Sequence, residues 1–112
     1  MAANRSPDLL PGTLDLLVLR AVTGGGRLHG YGIAQHLRLV SRDVLDVGES
    51  SLYPALQRLL LDGYLKAEWG TSDNNRKARF YTITPSGRKH LSAEREEFER
   101  MVTAIRDVLS FA

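Results

Sequence analysis

Four runs of helical periodicity, and one stretch between the third and the fourth in which the apolar period drops to two, predict an α+β fold, mostly α, for this chain of 112 residues. A third observation sharpens the prediction. The last helical run is far longer than the others and carries its apolar residues at a and d spacing, so it reads as a rod rather than as part of a compact body.

Residues 1–11 show no periodic pattern and are expected to form a flexible lead. Thr13 is expected to cap the first helix, with Asp15 in its first turn and the glycines at 24, 25 and 26 as its end. Leu14, Leu16, Leu17, Val18, Leu19, Ala21 and Val22 cover nearly its whole circumference, so both sides must be covered. The second helix is expected from about Gly30 to Val40, with Ile33, Ala34, Leu37 and Val40 inward. Gly30 and Gly32 weaken it and point to close backbone packing, with the Tyr31 ring filling the gap beside them. Ser41 to Glu49 reads as a polar connection closing on Gly48.

Pro54 has no amide hydrogen and is tolerated near a helix start, which makes Ser50 or Ser51 the expected cap of the third helix. Leu52, Ala55, Leu56, Leu59 and Leu60 form its buried stripe, and Asp62-Gly63 its end. Beyond it, Leu65, Ala67 and Trp69 alternate with Lys66 and Glu68, and Phe80 to Thr84 is aromatic and β-branched. These are two strands of a hairpin joined by a polar loop from Gly70 to Lys77, with Trp69 and Tyr81 expected in its core. Thr84 caps the fourth helix, with Pro85 at its first position, and the helix runs to about Leu109. The acidic residues 94, 96, 97, 99 and 107 belong to its solvated face.

Composition narrows the possible functions. Hydrophobic residues make up 43% and charged residues 25%, as in a soluble globular domain. No cysteine is present, which removes disulfides, thiolate metal sites and cysteine nucleophiles, fits a reducing interior and predicts a cytoplasmic protein. No membrane-length apolar run or signal peptide is expected. His29, His36 and His90 have no metal-binding spacing, and no nucleotide or hydrolase motif occurs, so neither metal, cofactor nor enzymatic activity is expected. The net charge is only +2, but Arg76, Lys77 and Arg79 cluster at the hairpin loop.

Three helices followed by a two-stranded hairpin is the order of a winged helix-turn-helix, in which the third helix enters a DNA major groove and the hairpin loop is the wing. On that arrangement residues 12–84 form the DNA-binding domain and residues 85–112 a long C-terminal dimerisation helix. Ser50 and Ser51 at the start of the third helix offer amides and hydroxyls to phosphates, Tyr53 is a candidate phosphate or base contact, Pro54 shares their DNA-facing side, and Gln57 and Arg58 can reach base edges. Arg76, Lys77 and Arg79 bring the wing to the DNA backbone, and Tyr31 is a candidate phosphate contact. The alternative for Tyr53 is packing against the hairpin, and for Arg58 a salt bridge. Leu14 and Leu17 on the first helix, with Leu91, Phe98, Met101, Val102, Ile105, Val108 and Leu109 on the fourth, are more apolar surface than so small a body covers, so they are expected to meet a second copy.

The strings Gly12-Thr13-Leu14, His29-Gly30-Tyr31-Gly32-Ile33, Ser51-Leu52-Tyr53-Pro54-Ala55-Leu56, Leu59 with Asp62-Gly63-Tyr64, and Arg79-Phe80-Tyr81 with Thr82-Ile83-Thr84 and Gly87 run in order over residues 10–90. In that combination the chain resembles the PadR-type transcriptional regulators, and its single terminal helix resembles their short-tailed branch. The resemblance implies a homodimeric winged-helix repressor that binds a palindromic DNA operator and leaves it when a small-molecule effector or another signal arrives. Where many members carry Gly-Arg in the wing, this chain has Asn74-Asn75-Arg76. The alternative from another class is a winged-helix module that works through protein contacts without DNA.

Overall fold

The computed structural model describes Leu9 and residues 12–25 and 27–111. The expected flexible lead, residues 1–11, lies outside them apart from Leu9. Helix α1 spans Thr13–Gly25, a short strand β1 Leu28–His29, α2 Gly30–Val40, α3 Glu49–Leu61, β2 Leu65–Thr71, β3 Lys77–Ile83 and α4 Pro85–Ser110. The strands form one antiparallel sheet in the order β1-β3-β2. The fold is a winged helix, with α2 and α3 as the helix-turn-helix and β2 and β3 as the wing.

The all-round apolar character of α1 follows from its place. Val18, Leu19, Ala21 and Val22 are buried at the centre, enclosed by α2, α3, α4 and β3 together. Around them pack Ile33 and Leu37 of α2, Leu52, Leu56 and Leu59 of α3, Leu65 and Tyr81 of the hairpin, and Leu91 of α4. Leu14, Leu16 and Leu17 lean on this cluster, half-buried.

Several helix ends differ from the expectation. Thr13 lies inside α1, because the Leu16 amide donates to the Gly12 carbonyl at 3.1 Å and Gly12, at φ +87°, turns the chain into the helix. Ser50 and Ser51 do not cap α3 either. Gly48 holds the cap position with no side-chain bond, its carbonyl taking the Leu52 amide at 3.0 Å, and α3 begins two or three residues earlier than a cap at Ser50 or Ser51 implies, at Glu49. Pro54 therefore sits a full turn inside the helix. Val40 leaves the buried stripe of α2 and is 69% exposed, because the chain turns away through Arg42 and Asp43, both in the left-handed region.

The two-residue strand β1 has no counterpart in the sequence pattern, since so short a segment carries no periodicity. It pairs Leu28 with Tyr81 and His29 with Phe80. His29 then caps α2, its Nδ1 accepting the Gly32 amide at 2.9 Å, and the Arg27 guanidinium lies 4.0 Å from the Phe80 ring centroid on the outer face of the sheet. One short segment thereby ties the start of α2 to the wing.

Helix α4 starts as expected. The Thr84 hydroxyl accepts the Gly87 amide at 3.0 Å and donates to the Gly63 carbonyl at 2.7 Å, with Pro85 at the first position. Tyr64 stacks on His90 at a centroid distance of 4.0 Å. Leu91 is only 8% exposed and belongs to the core of its own chain, which corrects its place on a free dimer face. Among the described residues beyond Leu91 only Val102 is even half-buried, while Phe98, Met101, Ile105, Val108 and Leu109 are exposed. This projecting part accounts for a radius of gyration of 15.3 Å where a compact chain of this length has about 13 Å. No helix among the described residues is long and apolar enough to cross a membrane.

Candidate nucleic-acid interface

Cross-strand pairing decides what the wing presents. Residues paired across an antiparallel ladder share a face, so Ala67 with Tyr81, Trp69 with Arg79 and Thr71 with Lys77 line one side of the hairpin. Near the body that side is core. Further out it overhangs, and with α3 and the start of α2 it encloses an open concavity of about 860 Å³. Tyr53 and Gln57 enter from α3, Gly30 and Tyr31 from α2, and Trp69, Arg76, Lys77 and Arg79 from the wing. Among the described residues three cations and no carboxylate line it.

Trp69 is not the hairpin core residue expected from its alternation. It is 63% exposed, because the strand has run past the body by that point, and Lys77 Nζ lies 5.2 Å from its ring centroid. Tyr81, two residues nearer the body on the opposite strand, is core as expected.

The wing loop is shorter and tighter than the polar run indicates, spanning residues 72–76. The Ser72 amide donates to the Arg76 carbonyl at 2.8 Å, the Asn75 amide to the Ser72 carbonyl at 2.9 Å, and the Ser72 hydroxyl to Asn74 Oδ1 at 2.8 Å. Asn75 adopts φ +61°, and asparagine is the residue after glycine that tolerates this region best. The chain therefore makes the wing turn without a glycine.

The start of α3 lies outside this concavity. Ser50, Ser51 and Pro54 are exposed on its outer turns and do not line the concavity, and Glu49 places a carboxylate at the positive end of the helix dipole. Glu49 has no counterpart in the residues singled out from sequence, although an acid at a helix start is itself a readable signal. The start of α2 has no acid in its first turn and opens into the concavity.

Arg58 makes a salt bridge. Its Nη2 lies 2.8 Å and its Nε 3.2 Å from the two carboxylate oxygens of Asp15 on α1, which raises the guanidinium pKa through the hydrogen bonds first and the charge second. The Arg58 side chain is half exposed, so this pair joins α1 to α3 at modest strength. Replacing Arg58 with alanine should lower stability by about 0.5 to 1 kcal/mol in urea unfolding and leave DNA sequence preference unchanged. A changed preference would mean that Arg58 reads a base as well.

A helix-turn-helix with a cationic wing folded over the same concavity as its second helix defines a winged-helix regulator of transcription. The chain belongs to the transcriptional regulator PadR-like family, whose family model matches residues 18–93. A transcriptional regulator of Mycobacterium tuberculosis is 36% identical over 78 residues, 70% of this chain and 69% of that protein. An uncharacterized protein of Lysinibacillus sphaericus is 31% identical over 85 residues, 76% of this chain and 77% of that one. Among solved structures, a transcriptional regulator from Clostridium thermocellum superposes with a TM-score of 0.77 at 29% identity, covering 86% of this chain and 92% of its own.

Proposed function

We propose that the protein is a sequence-specific DNA-binding repressor that acts as a homodimer and leaves its operator in response to a small molecule or another signal. The observation that carries the reading is the concavity between α3 and the wing, with three cations, no carboxylate, and Gln57 on a rigid helix. Residues 12–84 are the DNA-binding domain, and the part of α4 beyond Leu91 joins two copies. Two-fold symmetry then demands a palindromic or near-palindromic operator with half-site centres about one or two helical turns apart.

Trp69, the chain's single tryptophan, stands in this concavity and makes the test direct. Duplexes selected by the purified protein from a random pool should share a palindrome, and titrating the selected duplex should change Trp69 emission with the same midpoint as a gel shift. No binding to any duplex at micromolar protein and low salt would reject the reading.

Within it, wing and helix have separate tasks. Arg76→Ala or Lys77→Ala should weaken selected and random DNA alike and reduce the slope of log affinity against log salt by about one unit for each phosphate no longer neutralised. Gln57→Ala should cost about 1 to 3 kcal/mol on the selected site and much less on random DNA. The assignment fails if wing substitutions change the preferred sequence.

A further inference from the structure

The floor of the concavity holds a group that neither wing nor base reading uses. Tyr81 is 5% exposed, yet its hydroxyl makes no hydrogen bond among the described residues. Among those residues no buried side-chain polar atom is both sealed from solvent and unpaired. The hydroxyl therefore keeps contact with solvent, and Tyr81 lines the concavity. Burial pushes the phenol above the ordinary tyrosine range, Arg79 offsets part of this, and Tyr53 adds to it, so at neutral pH the group is an O–H donor.

Other donors converge beside it. Tyr53 lies so close to the start of α2 that a Cβ on Gly30 would stand 3.1 Å from the Tyr53 hydroxyl and 3.4 Å from its ring. Gly30 and Tyr31 are the first two residues of α2, and their amides have no acceptor within the helix, whereas the Gly32 amide is taken by His29. Arg79 follows on the same face of β3, two residues from Tyr81. A cluster whose charged and amide groups only donate suits a phosphate, whose oxygens only accept; a base edge in the major groove offers a mixture.

We propose that the hydroxyls of Tyr81 and Tyr53, with Arg79 and the first amides of α2, hold one phosphodiester of the DNA backbone at the floor of the concavity. This rests on the DNA-binding reading and assigns Tyr81 as a phosphate anchor. Neutral hydroxyls displace no counterion, so they add affinity and register without adding salt dependence.

The test uses the full chain and labelled duplex. Tyr81→Phe should weaken the selected and random duplexes by the same factor, about tenfold, with the salt slope unchanged. Tyr53→Phe should act in the same direction, and Arg79→Ala should flatten the slope. A set of duplexes, each with one phosphate replaced by a neutral methylphosphonate, locates the contact. At one position the wild type should lose affinity while Tyr81→Phe loses little more. That comparison reads the contact within folded protein even if the variant is less stable. The inference is overturned if Tyr81→Phe binds as tightly as the wild type, or if its deficit is the same on every methylphosphonate duplex. Failure of the wild type to bind any duplex is a separate result that removes the DNA-binding reading and this inference with it.

Discussion

Gly87→Ala should destabilise the protein by about 3 kcal/mol, seen as a lower urea midpoint at unchanged m value. A Cβ at this position would overlap the Tyr64 carbonyl oxygen, and would stand 2.8 Å from Ile83 Cγ1 and 2.9 Å from the Tyr64 carbonyl carbon. That oxygen cannot retreat freely, because it accepts the Thr84 amide at 3.1 Å in the joint that docks α4. Gly48→Ala is the control: its Cβ would meet nothing within 4 Å, and the weaker helix cap should cost only about 0.5 kcal/mol. Equal costs for the two would mean that the joint yields, and that Gly87 does not set the approach of α4 to the hairpin.

The larger functional effect is expected on α4. Met101 and Ile105, one turn apart, are 51% and 46% exposed and lie in the apolar stripe beyond Leu91. Replacing both with glutamate should turn the proposed dimer into a monomer by light scattering at micromolar concentration. Operator affinity should then fall by at least about 100-fold, because each half-site would be bound without its tether to the other. The urea midpoint of the remaining body should move much less, since neither side chain belongs to the core. If the wild type itself is monomeric at that concentration, dimerisation through α4 is rejected.

What could be read in the sequence divides along a physical line. The bounds of α2 and the Thr84 cap with Pro85 depend on signals within a few residues, and the structure agrees with them. The buried stripe of α3 likewise follows its own periodicity. Features set by distant chain are less legible. Trp69 alternates like a core residue, but its exposure depends on how far the hairpin outruns the body. Arg58 meets a carboxylate 43 residues away, a pairing no local pattern encodes. Leu91 shares its spacing with Phe98 and Ile105, but the docking of Gly87 on Tyr64 draws only the first turns of α4 into the body. Of the candidate DNA-facing residues, Tyr31, Tyr53, Gln57, Arg76, Lys77 and Arg79 converge on one concavity, whereas Ser50, Ser51, Pro54 and Arg58 do not line it.

The 26 residues of α4 form a rod of about 39 Å whose first turns are clamped to the winged-helix body. In the proposed dimer this makes the rod a caliper. Sliding two such helices by one heptad moves the bodies by about 10 Å, close to three base pairs of duplex, without altering any residue that touches DNA. Changes confined to the stripe from Phe98 to Leu109 could therefore re-space the two halves of an operator while the letters within each half stay the same. Spacer length and half-site sequence would then be free to diverge independently among relatives that keep the same α3 and wing.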